Sequence, residues 1–280
     1  AKTSTVERVD VFAQDGAPVA GARVAEMLRS FRVPDGTTDI VLDKSALSIG
    51  VGFPIARFLL DKCEAAGNIN FHIMIVSNPE LDARIFGEPD DRVINVRGFA
   101  GSSVTAGEEK LARIWVPQLS HRKASALTKI RAASGDTVYK ICPTLPFPAR
   151  NPRRADELIA EFEGQLRAWD VDARDIIYVS ERNPLDSYRT LSTLKLRYDR
   201  TVDGVFVPQL VLSPIGSKVM ATGAMMAAIE HDLPVQYVET LRYEFDPPNP
   251  AGDRPDDMMV HLWLQGPIYA GLRAPSSGTS

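Results

Sequence analysis

Short apolar runs alternate with longer amphipathic ones along this chain, and their spacing predicts a repeated strand–helix order. Val9–Phe12 opens as a strand, and Val19, Val24, Met27 and Leu28 fall on one face of a helix over about 18–31. Asp39–Asp43 (DIVLD) reads as a buried strand, followed by a polar loop, Lys44–Gly52. Pro54 stands where a first-turn proline belongs, and Ile55, Phe58 and Leu59 continue a helix face to about Ala66. Asn70–Val76 (NFHIMIV) is the next strand, closed by Ser77-Asn78-Pro79.

The stretch Phe86–Gly107 is rich in Gly and Asp and reads as loop, and a helix is expected over Gln118–Ala133 with Lys and Arg on its outer face. A second series starts with a strand at Asp136–Cys142. Its loop, Pro143–Pro152, carries four prolines and leads to a helix over Arg153–Trp169. Then come a strand at Asp175–Ser180 (DIIYVS), a helix at Pro184–Arg200, and a strand at Val205–Leu212. A tight loop, Ser213–Lys218, precedes a helix to about His231, and Val235–Glu239 (VQYVE) is expected as the last parallel strand. Asp246–Asp257 reads as a linker, Met258–Leu264 as a terminal strand, and the tail after Arg273 as disordered.

This alternation predicts an α/β fold: Rossmann-like parallel sheets with helices on both faces, in two related lobes. The expected boundaries are a lobe over 1–105, a helical linker over 106–135, a second lobe over 136–270, and a tail over 271–280. Helix, strand, Ser-containing loop, helix and strand recur across 18–76 and 184–239. Low residue identity leaves a plainer account open, since any α/β chain repeats this unit.

Composition narrows the function classes. Of 280 residues, 44% are hydrophobic and 24% charged, which suits a globular protein and argues against overall disorder. A net charge of −4 leaves no general nucleic-acid coat, only room for a local basic site. Cys63 and Cys142 are far apart in apolar surroundings, which predicts buried thiols rather than a disulfide framework or zinc site. The four histidines lack metal-ligand spacing, and neither a metal nor a cofactor is expected. With no apolar run of transmembrane length and no signal peptide, the expectation is a cytoplasmic protein without a membrane partner.

In open parallel sheets, ligands sit beyond the carboxyl ends of the strands, where helix N-termini present unpaired N–H groups. That rule collects Lys44, Ser45 and Ser48; Ser77 and Asn78; Arg150, Arg153 and Arg154; Glu181, Arg182 and Asn183; and Ser213, Gly216, Ser217 and Lys218. The set is rich in donors for anions. The last group stands out, because the helix after Lys218 has no charged residue before Glu230 and is expected to press against the sheet. Ser217 as a simple N-cap and Lys218 as a solvated side chain are the plainer readings. For Arg150, Arg153 and Arg154, an anionic ligand competes with ion pairs to Asp156 or Glu157. No G-x-S-x-G elbow, P-loop or complete G-x-G-x-x-G fingerprint is present.

The segment LVLSPIGSKVMATGAMMAAIEHDLPVQYVE resembles the ligand-loop unit of CRISPR-associated Rossmann-fold (CARF) sensor domains and of their two-lobed, SAVED-like relatives in anti-phage signalling. The clear match covers about thirty residues. The resemblance implies a sensor of nucleotide or cyclic-oligonucleotide messengers, with Ser213, Gly216, Ser217 and Lys218 near phosphates. It departs from a full sensor–effector protein in showing no nuclease, TIR or transmembrane effector motif. An effector domain or subunit outside this chain is then expected, and a homo-oligomer is compatible with the reading. An enzyme acting on a nucleotide or sugar-phosphate, and a subunit that binds only protein, stay open as alternatives.

Overall fold

The alternation folds into a mixed α/β structure with parallel sheets, and the computed structural model describes residues 4–101, 110–201, 206–247 and 257–269. The tail after Arg273 and most of the 246–257 stretch lie outside the described residues. Two compact units emerge, one of Ala1–Met74 with His261–Ser280 and one of Ile75–Val260. Among the described residues, no helix is long and apolar enough to cross a membrane.

The first unit holds α1 (Ala20–Ser30), β1 (Asp39–Asp43), α2 (Ile49–Ala66), most of β2 (Asn70–Ser77) and most of the terminal strand (Met258–Gln265). β1 and β2 run parallel, with Ile40 opposite Phe71 and Leu42 opposite Ile73, and the terminal strand flanks β2. Val24 and Leu28 of α1 are buried, as are Phe53, Ala56, Leu59 and Cys63 of α2. Two expectations are corrected here. Val9–Phe12 forms no strand, only an antiparallel bridge between Phe12 and Pro18. α2 starts at Ile49, so Pro54 lies inside the helix instead of in its first turn. Packing explains the earlier start. A Cβ at Gly52 would lie 3.3 Å from Leu47 Cβ and 3.4 Å from Lys44 Cε, so Gly52 eases the close approach of the helix start to these side chains.

The second unit holds α3 (Pro79–Asp82), β3 (Ile85–Asn95), β4 (Lys110–Pro117), α4 (Ala124–Ala133), β5 (Val138–Ile141), β6 (Thr144–Pro146), α5 (Arg154–Glu161), α6 (Glu163–Ala168), β7 (Ile177–Val179), α7 (Pro184–Thr201), β8 (Phe206–Ser213), α8 (Lys218–Glu230) and β9 (Gln236–Phe245). β5, β4 and β8 are parallel neighbours with β4 central, and β6 pairs in parallel with β7. Parallel bridges Gln118–Thr144 and Leu212–Val235 extend the ladder at both sides. Strands therefore lie in the order β7, β5/β6, β4, β8 and the start of β9. Along the chain the order runs outward from β4 to β7, then returns to β8 on the other side.

Trp115, Leu127, Ile130, Leu145, Leu158 and Phe162 form a buried cluster that joins β4 and β6 to α4 and α5. Val116 and Leu212 instead share a crevice with Leu191 of α7 and Ala224 of α8, so helices cover both faces of this sheet. Four expectations change. Phe86–Gly107 is not all loop, because β3 forms with β9 an antiparallel ribbon whose register shifts around Pro89 accommodate the proline. VQYVE is parallel only at its start, where Val235 bridges Leu212; β9 then runs ten residues antiparallel to β3. The helix expected from Gln118 starts at Ala124, and the one expected over Arg153–Trp169 breaks at buried Phe162. Both cysteines are buried free thiols, as expected, and burial pushes the Cys142 thiol up to about 11.

α8 presses on α7 at the position where close approach to the sheet was expected. A Cβ at Gly223 would lie 2.1 Å from the carbonyl oxygen of Pro184 and 2.7 Å from Ser187 Cβ. The contact is to backbone, so the neighbour cannot swing aside. Gly223→Ala is expected to cost about 1–3 kcal/mol through overpacking. Urea unfolding measures this directly, and an unchanged midpoint would show that α7 yields.

Candidate anion site at the reversal of strand order

Where the order of parallel strands reverses, the loops leaving two neighbouring strands diverge to opposite faces and open a crevice. Here those strands are β4 and β8. Their pairing runs in register from Ala112–Pro208 to Pro117–Ser213, so both end at the same level. Ser213 ties the ends together: its backbone oxygen accepts from Gln118 N at 3.0 Å, and its buried hydroxyl accepts from Trp115 Nε1 at 2.9 Å. The loop Ser213–Lys218 then lies directly on the loop Gln118–Lys123. A Cβ at Gly216 would fall 2.7 Å from Gln118 Nε2 and 2.8 Å from Ser120 Cβ, so only glycine permits this approach.

At the start of α8 the expected cap is missing. Ser217 occupies the N-cap position, yet its side chain makes no capping bond, and its Oγ is buried with no hydrogen-bond partner. A buried hydroxyl without a partner is costly, so an oxygen acceptor arriving at this helix start would satisfy it. Lys218 follows as the first helical residue, half-buried. Behind the loop, the crevice lined by Gln118, Thr144, Ser187 and Pro214 is large enough for about one water.

The neighbouring wall supplies groups that the sequence reading missed. Lys123 ends the β4 loop, with its Nζ 3.4 Å from where a Gly87 Cβ would stand, against the β3–β9 ribbon. Burial pushes the Lys123 ammonium down, against the pull of Asp82. Burial likewise pushes the Asp82 carboxyl up, against Lys218 and Lys123. Among the described residues no carboxylate lies within 4.0 Å of either lysine's Nζ. Both ammonium groups act on the Asp82 carboxyl, against its burial. Arg122, in the left-handed region at φ 59°, turns its guanidinium over the Phe86 ring, 3.6 Å from the centroid. Glu161 holds this turn through Arg122 N at 2.6 Å and His121 Nδ1 at 2.5 Å. The loop was read as helix because Leu119, Ala126 and Ile130 carry apolar spacing past the turn; Pro117 before a Ser-His pair was the available signal.

A scan of protein-family models finds none that matches this chain, and no curated protein matches it.

The other predicted residues divide by place. Arg150, Arg153, Arg154, Glu181, Arg182 and Asn183 gather at the ends of β6 and β7 in the same unit. Arg150 N donates to buried Glu181 at 2.9 Å, and its Nε lies 3.7 Å from Glu80. The alternative of pairing Arg153 or Arg154 with Asp156 or Glu157 is not realised; Asn151 Nδ2 binds both Glu157 oxygens, at 3.0 and 3.1 Å. Arg182 rests its Nε on Met258 Sδ at 3.4 Å, and Asn183 accepts from Leu185 N in the first turn of α7. Ser77 is buried with an unpartnered hydroxyl, whereas Asn78 caps α3 and donates to Asp257.

Lys44, Ser45 and Ser48 belong to the first unit. Lys44 is buried with its Nζ 4.5 Å from the centre of the Phe53 ring, and Ser45 N donates to Asp43. Ser48 repeats the behaviour of Ser217: it stands at the N-cap of α2, makes no capping bond, and buries an unpartnered Oγ. Among the described residues, no group of three or more His, Cys, Asp or Glu side chains is placed to hold a metal ion.

The state of Lys123 gives a test with a defined sign. Its folded-state pKa lies below the ordinary 10.5, so folding disfavours the charged form at neutral pH. Lys123→Met should unfold in urea at an equal or higher midpoint at pH 7, with the advantage shrinking as pH rises toward 10.5. A clearly lower midpoint at pH 7 would mean that the ammonium is held by favourable contacts.

Proposed function

We propose that the second unit binds the phosphate of a nucleotide or cyclic-oligonucleotide messenger at the reversal point. The chain is then a sensing module of bacterial anti-phage defence, of the CARF and SAVED-like kind that its segment 210–239 resembles. Ser217 carries the reading. Its hydroxyl is buried without a partner at a helix start, beside Gly216 and Lys218, and neither Lys218 nor Lys123 has a carboxylate within 4.0 Å of its Nζ among the described residues. Such a place suits phosphate oxygens, which accept from hydroxyl, ammonium and backbone N–H alike. The strand order around β4 is consistent with a Rossmann-like sheet, and the paired behaviour of Ser48 and Ser217 supports two related lobes. The effector lies in another domain or subunit.

A second reading, in which the unit cleaves its ligand, draws on Asp82 and Lys123. A carboxyl pushed up beside an ammonium pushed down is the pattern of a general acid–base pair. Shorter products appearing on incubation with wild type but not with Asp82→Asn would favour it.

Lys218→Ala should weaken binding about ten- to a hundredfold, the loss of one charge-assisted contact to phosphate. Calorimetric titration with mononucleotides and with linear and cyclic oligonucleotides measures this, alongside melting temperatures. Equal affinity in the two proteins removes Lys218 from the site. A large fall in melting temperature makes it structural.

A further inference from the structure

Two aromatic rings stand in solvent beside each other: Phe147, the first residue past β6, and Tyr178, the middle residue of β7. Phe147 is 55% exposed and Tyr178 49% exposed, and they meet edge-to-face with centroids 6.1 Å apart. Their backbone is fixed: Phe147 N donates to Val179 O at 2.8 Å, and Glu181 N donates to Pro148 O at 3.1 Å, so the pairing continues past both strands. The loop that Phe147 begins is also held, through Arg150 N on Glu181 and Arg153 N on Asn151 Oδ1 at 3.0 Å. It presents Arg153 and Arg154, whose guanidinium groups have no ion-pair partner among the described residues.

We propose that Phe147 and Tyr178 form a stacking subsite for a base of a single-stranded nucleotide chain, whose neighbouring phosphates lie on Arg153 and Arg154. Exposed rings accept the π-face of any base, and unpaired guanidinium groups match a polyanion in a protein whose net charge is −4. Phosphate contacts there need no sequence preference. The subsite rests on the reading of the Lys218 site only for where the chain continues. From β8 across β4 and β6 to β7 are three strand spacings, roughly 14 Å, so a ligand touching both places is longer than one nucleotide.

Fluorescein-labelled hexaadenylate, followed by anisotropy with unlabelled AMP as competitor, tests this on the full chain. Wild type should bind hexaadenylate more tightly than AMP. Phe147→Ala and Tyr178→Ala should each weaken hexaadenylate about tenfold, the scale of losing one stacked base, and leave AMP unchanged. Phe147→Trp should restore the affinity. Arg153→Ala should lower the slope of log affinity against log salt by about one. If the aromatic variants bind hexaadenylate as wild type does while Lys218→Ala weakens both ligands, the subsite is wrong and the Lys218 site stands. If wild type binds neither, both fall. If Phe147→Ala dissociates a dimer in sedimentation without changing hexaadenylate binding, the rings form an interface between copies and the proposal is overturned.

Discussion

The in-register pairing of β4 with β8 is the constraint on which the rest of the second unit depends. These two strands are far apart in sequence, yet they end level, and Ser213 joins them through Gln118 N and Trp115 Nε1. Because Trp115 is fully buried among Leu127, Leu145 and Phe162, the same hydrogen bond anchors the loop above to the core below. A slip of one residue would turn Trp115 to the opposite face and part the two loops. Register thus sets both the packing and the site.

Both units keep features that do not help them fold. Ser217 and Ser48 leave hydroxyls unsatisfied at helix starts, where a serine side chain ordinarily bonds a backbone N–H. Lys123 and Asp82 are each pushed away from their charged forms by burial, without closing into an ion pair. Arg122 adopts a left-handed backbone conformation that an arginine rarely takes. Each costs stability locally; Ser217, Lys123 and Arg122 lie on the loop pair 118–123 and 213–218, while other unpartnered buried hydroxyls of the second unit, Ser77 and Ser192, lie elsewhere. Side chains cap two other helix starts of the same unit, at Asn78 and Asp172, whereas α4, α5 and α6 start without a side-chain cap.

Element order repeats between the units, and so does its packing. α1 and α2 precede β1 and β2 in alternation and pack on each other, as α7 and α8 do around β8 and β9. The parallel pairing is long in the first case, from Asp39 to Asp43, and a single bridge in the second, after which β9 leaves to pair with β3. That departure builds the ribbon that covers Lys123. The same element order thus meets two different pairings.

Much of this was legible along the chain. Apolar runs such as DIVLD, NFHIMIV and LVL mark strands, and the charge-free stretch after Lys218 marks a helix buried nearly all round; the expected burial of DIVLD is not realised, since only Leu42 of that strand is buried and Val41 is 54% exposed, and NFHIMIV buries alternate residues only. Position alone puts Gly216 and Lys218 in a loop at the carboxyl edge, since the loop after a parallel strand faces that edge wherever the strand sits. What the tertiary structure decided is which loops meet. Gly87, Pro89 and the following aspartates read as loop until β9 pairs with them across bulges. Lys123 gains its character only because that ribbon lies over it, and Gly223 is needed only because α7 ends its approach at the Pro184 carbonyl. Pairing between distant segments determines these contacts, and local periodicity carries no record of it.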